Sequence, residues 1–207
     1  FSVDRLALYI PLWHPELAST PIISKDLKAQ SCTITGTTQS IVGRAFNGSS
    51  DYISAPYSSV INFGTGSFSV EAWVKTTTSQ SSNRGIVTQF VGGNFFHLQT
   101  DSLDMTFQVN GELTNAYAMT LNTWPHIVGV RNIGDSTLST WINGASASSV
   151  AGGNLTVTTT GAIELGARNH AADRWWAGTM GEVRVYSKAL SIDEISHNYS
   201  ATKWRYS

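Results

Sequence analysis

Residues 42–75, VGRAFNGSSDYISAPYSSVINFGTGSFSVEAWVK, decide the fold. At their end Phe68, Val70, Ala72 and Val74 alternate with Ser69, Glu71, Trp73 and Lys75. A period of two predicts a strand with one face in a core. Upstream, Phe46-Asn47-Gly48 leads into Asp51-Tyr52-Ile53, a strand, a tight turn and a second strand. Such strands need partners, and the flanking sequence supplies them.

Leu6–Ile10 is a short apolar strand ended by Pro11, and Ser31–Thr35 is β-rich up to Gly36. Gly92-Gly93, Asn110-Gly111 and Asn143-Gly144 each follow a β-rich run, and these dipeptides favour two-residue hairpins. Further runs at Trp124–Arg131, Ala162–Leu165 and Met180–Tyr186 bring the count to around a dozen short strands. One helix is signalled near the C-terminus, from about Ile192 to Asn198. Ser191 and Glu194 form a capping box there, stapled by Leu190 and Ile195. It is expected to pack on the sandwich edge. Many strands without intervening helices predict an all-β fold, a sandwich of two antiparallel sheets over residues 1–207 as a single domain.

The chain has 207 residues, 41% of them hydrophobic and 13% charged, with a formal net charge of −1. The charged share is about half the usual ~25%. Lysines and arginines do not cluster, so a nucleic-acid partner is not expected. No apolar run approaches the ~20 residues that span a bilayer, so membrane insertion is not expected either. Cys32, the sole cysteine, reads as a small buried hydrophobe. The start at Phe1 reads as a processed product or a fragment. Asn47, Asn154 and Asn198 each open a formal glycosylation triplet.

The ordered series of motifs resembles the laminin-G-like, concanavalin A-like lectin/glucanase superfamily. Gly43–Gly48 with Asp51-Tyr52-Ile53 is similar to a family signature, and Phe68–Lys75 to its central strand. Trp141–Gly144, Ile163–Gly166, Trp176–Gly178 and Gly181–Tyr186 follow in the family's order. The resemblance implies a jelly-roll sandwich with one short C-terminal helix. The superfamily holds lectins, adhesion modules, glycosidases and structural domains, so the function must come from the site.

Glycosidases of this superfamily carry clustered acids on one strand, spaced for an acid and a nucleophile on one face. Here Glu71, Glu164 and Glu182 each stand alone, and no GxSxG nucleophile motif occurs. The chain is therefore read as non-catalytic. The family's signature aspartates sometimes hold a structural calcium. Asp51 remains, Asn47 stands where an aspartate is usual, and Gly181 replaces the acidic residue usual before Glu182. Asp51 and Asn47 are thus the residues for any calcium site.

A sugar binds an aromatic platform beside planar polar groups. The loop Ala167–Trp176 offers Arg168, Asn169, His170, Asp173, Arg174 and an exposed-looking Trp175 as a ligand-binding set, while Trp176 fits a core position. The expected function is a carbohydrate-binding or adhesion module at an extracellular, cell or virion surface, with glycans as partners. The alternative is a structural component of a virion, fibre or extracellular assembly, with self-association or other surface proteins as partners.

Overall fold

The computed structural model describes residues 3–152, 156–168 and 174–207. Seventeen strands lie among them. The first six are β1 (Leu6–Ile10), β2 (Ile22–Ile23), β3 (Ser31–Thr35), β4 (Thr38–Ser40), β5 (Gly43–Asn47) and β6 (Tyr52–Ala55). Next come β7 (Phe68–Lys75), β8 (Gln80–Val91), β9 (Asn94–Ser102), β10 (Asp104–Val109), β11 (Glu112–Leu113) and β12 (Tyr117–Ala118). β13 (His126–Asn132), β14 (Thr137–Ile142), β15 (Ala145–Ala151), β16 (Ile163–Leu165) and β17 (Ala177–Tyr186) precede helix α1 (Ile192–Thr202).

The first sheet runs β15-β14-β13-β7-β17-β5-β4, with β1 also on β17. The second runs β11-β10-β9-β8-β16-β6-β3-β2, with β12 on β10. Named pairings are antiparallel, as in the expected sandwich. The three predicted hairpins form β8–β9, β10–β11 and β14–β15. At the last turn Asn143 and Gly144 both take positive φ, 52° and 80°, as a type I′ turn demands.

The apolar face of β7 meets the second sheet as its alternation predicts. Phe68 stacks on Phe63 at 4.5 Å and touches Phe96 and Phe107 at 5.2 and 5.9 Å. Cys32 is fully buried, and burial, reinforced by Asp26, pushes its thiol up to about 12. Trp176 is core, edge-on to Phe46 at 6.2 Å.

The one-faced reading of β7 needs correction, because Ser69, Glu71 and Trp73 are also buried. Their cover is α1, which lies across the outer face of the first sheet instead of packing on its edge. The capping box forms as predicted, but the helix runs on to Thr202 and into a 3-10 turn over Lys203–Arg205. Leu190 and Ile195 join Val128, Val130 and Tyr186 in a second apolar cluster beneath it.

Candidate functional site

Three polar regions could carry chemistry, and the sandwich places them apart. The first is the polar face of β7. The register sets Glu71 opposite Arg184 of β17, and the guanidinium donates Nη1 to Glu71 Oε1 and Nη2 to Glu182 Oε1, the latter at 2.8 Å. Asn198 of α1 donates to Glu71 Oε2 at 2.9 Å, and His126 Nε2 lies 3.7 Å from that oxygen. Burial alone would raise the Glu71 carboxyl, but the cationic Arg184 and then His126 outweigh it. The net effect holds it well below the usual carboxylate range.

The expectation that these glutamates stand alone is therefore corrected: folding joins Glu71 and Glu182 across one guanidinium. Glu71 is 1% exposed beneath α1, so the pair faces no solvent from which a substrate could enter. Aromatic rings complete the cover. Trp73 stacks on Tyr206 at 4.5 Å and donates its indole N–H to Thr202 at 2.9 Å. This region ties the helix to the sheet. It also closes the Asn198 glycosylation triplet, whose side chain is fully buried.

The second region is the end of the sandwich where β5, β8 and β17 meet. In the turn after β5, Asn47 Oδ1 accepts the backbone N–H groups of Ser49 at 2.9 Å, Ser50 at 2.9 Å and Asp51 at 3.2 Å. Asp51 Oδ2 accepts the Asn47 N–H at 3.0 Å. The oxygens proposed as calcium ligands thus close the turn. Among the described residues no three His, Cys, Asp or Glu side chains converge as a metal site.

The same turn borders a cleft of about 150 Å³ lined by Asn47, Thr78, Ser79, Ser81, Arg84 and Trp175, among others. Asn47 and Trp175, singled out from distant stretches for different reasons, meet there. Trp175 is not exposed as expected. It is 9% accessible, because its ring leans on Tyr52 at 5.6 Å. Arg84 was missed by sequence reasoning. Among the described residues its side chain has no ion-pair or hydrogen-bond partner. Arg168 lies away from this cleft, 5.9 Å over the Phe95 ring. Asn169, His170 and Asp173 lie outside the described residues.

The third region is the outer face of β9. His97 stacks on Phe95 at 4.4 Å and is fully buried. Burial, aided by the charge of Arg168, pushes its imidazole down to about 3, so it is neutral at ordinary pH. No sequence signal marked it.

With this geometry in view, comparison with known proteins places the chain. Residues 47–196, more than half of it, match the family model of the Concanavalin A-like lectin/glucanases superfamily, and the chain belongs to that family. Solved structures of similar fold include the binding domain of Paraclostridial Mosquitocidal Protein 1. It has 14% identity and a TM-score of 0.71, covering 96% of this chain and 52% of that one. Domain 4 of an extracellular arabinanase from Geobacillus stearothermophilus, solved with arabinotriose, gives 16% and 0.69, covering 93% and 97%. A botulinum neurotoxin type C structure, described as entering cells by interaction with two ganglioside molecules, gives 10% and 0.75, covering 96% and 52%. The chain spans about half the length of the toxin chains it matches. At these identities the likeness shows the fold. No curated protein matches the sequence.

Proposed function

We propose that this protein is a non-catalytic carbohydrate-binding module acting at a cell or particle surface, and that the end cleft by Trp175 binds the sugar. The observation that carries this reading is Arg84, a cation with no ion-pair or hydrogen-bond partner among the described residues, in a cleft lined also by three hydroxyl side chains, two amides and the Trp175 indole. Hydroxyls both donate and accept, which suits a sugar's hydroxyl rim. A guanidinium in the same cleft favours a glycan bearing a carboxylate or sulfate, which it grips through paired N–H donors. Relatives of this fold support the reading: one was solved with arabinotriose and another is described as interacting with gangliosides. The non-catalytic part rests on the burial of Glu71 and Glu182, whose oxygens already serve Arg184.

The test is a glycan array probed with wild type and Arg84→Ala. Arg84 is only partly buried, so the variant should fold. Binding to acidic glycans is expected to fall roughly tenfold or more, the worth of one charged hydrogen-bonding group. An array without acidic hits, or hits indifferent to Arg84→Ala, would contradict the reading.

A structural role in an assembly keeps one specific support. Ile41 is 88% exposed beside the open groove formed by Trp13, Pro15, Ala18 and Gln39, on the β4 edge of the first sheet. A stable oligomer in size-exclusion chromatography that dissociates with Ile41→Lys would favour that role. A monomer at high concentration would count against it.

A further inference from the structure

Helix α1 covers only part of the first sheet's outer face. Beyond it, over β14 and β15, a trough of about 450 Å³ remains open. The register determines what lines it. Trp141 of β14 lies opposite Val128 on one side and Ser146 on the other, and Ser139 lies opposite Val130 and Ser149. Thr137 lies opposite Asn132 at the far end, where the turn brings in Asp135. The wall nearest the helix is Leu190, Ser191 and Ile192.

Strand β15, ASASSVA, has only small residues on this side, so nothing from the edge folds over the indole. Trp141 is half-buried, one side packed on the apolar cluster beneath α1. Its indole N–H donates to Ser139 Oγ at 3.1 Å, which fixes the ring's orientation before any ligand arrives. At the other end Asn132 donates to Asp135 at 2.7 Å, holding a planar amide and a carboxylate side by side. From Thr137 to Trp141 the trough runs ~13 Å along the strand, room for a short oligosaccharide.

We propose that this trough is a second carbohydrate site, and that it takes neutral oligosaccharides. An indole offers the flat apolar surface that the C–H face of a sugar ring covers. The serine and threonine hydroxyls, Asn132 and Asp135 match the sugar's hydroxyl rim. No lysine or arginine lines the trough, and the Asp135 carboxylate repels anions. An apolar peptide would cover these polar groups without pairing them, an expensive arrangement. The proposal goes beyond the end-cleft reading and does not depend on it.

The experiment titrates the intact protein with neutral oligosaccharides of arabinose, xylose, glucose and galactose, following indole N–H resonances by NMR and affinity by calorimetry. At least one series should shift the Trp141 indole resonance saturably. Trp141→Ala should lower affinity roughly tenfold or more, the loss of an aromatic platform. Ser146→Lys puts a long cationic chain in the trough from an exposed position, so it should block binding even where Trp141→Ala folds poorly. The Trp175 indole resonance should stay in place during the same titration, which separates this site from the end cleft. The proposal is overturned if none of these sugars shifts Trp141, or if Ser146→Lys binds as wild type does.

Discussion

Glu71 is the residue that ties Arg184, Asn198 and His126 together beneath the helix. It and Arg184 are each 1% exposed, so neutralising Glu71 leaves the guanidinium with Glu182 alone as its counter-charge in a medium that cannot solvate the excess. Glu71→Gln should cost about 3–5 kcal/mol in urea unfolding, the usual result of breaking a buried pair. Replacing Glu71, Glu182 and Arg184 together with matched apolar residues should cost much less. Acid attacks the same point. The Glu71 carboxyl lies at about 2 in the folded protein against an ordinary 4.5. Its contribution is therefore complete above that ordinary value and lost as pH falls from there toward the folded one.

His97 works in the same direction over a higher window. Folding lowers it from 6.5 to about 3, so between those values the unfolded chain takes a proton that the folded one refuses. Stability should fall through that window by at most ~1.4 kcal/mol per pH unit. His97→Gln should flatten this limb in thermal melts at graded pH and leave the lower one. An unchanged profile would show that His97 protonates in place. At the turn after β5, Asn47 and Asp51 already satisfy the backbone. Melting temperature should accordingly be the same in calcium and in chelator, and a calcium-dependent rise would support the metal reading.

At the scale of elements, the C-terminal segment covers a sheet face that the sequence presents as polar. Gly181 shows how tightly it fits: a Cβ there would sit 2.2 Å from the Tyr206 ring. Any side chain at this position would meet the aromatic tail, which takes the space. Gly181→Ala should destabilise by about 1–3 kcal/mol through overpacking, and Tyr206→Ala in the same chain should relieve most of that penalty. Additive losses would mean that the two do not touch.

The alternation in Phe68–Lys75 was enough to place β7, and the capping box at Ser191 to start α1. Burial of the polar face was illegible, because Asn198 stands 127 positions from the Glu71 it reaches. Trp175 misleads for a related reason: its neighbours in sequence are polar, and its cover, Tyr52, comes from a distant strand. Arg84 left no local mark, since only the meeting of β5, β8 and β17 gives it a cleft.

For the whole molecule, the Glu71 network is buried beneath α1, and the two proposed binding sites are open concavities elsewhere on the sandwich. Both proposed sites lie outside the Glu71 network, so binding and folding should be separable by mutation. No helix among the described residues is long and apolar enough to cross a membrane. Calorimetric titration of wild type and Arg84→Ala with an acidic oligosaccharide, at low and high salt, decides whether the end cleft binds acidic sugars. Wild type should bind saturably and more weakly at high salt, and binding should fall roughly tenfold or more in a variant with an unchanged melting temperature. Equal binding by the two folded proteins, or none by either, would contradict that reading.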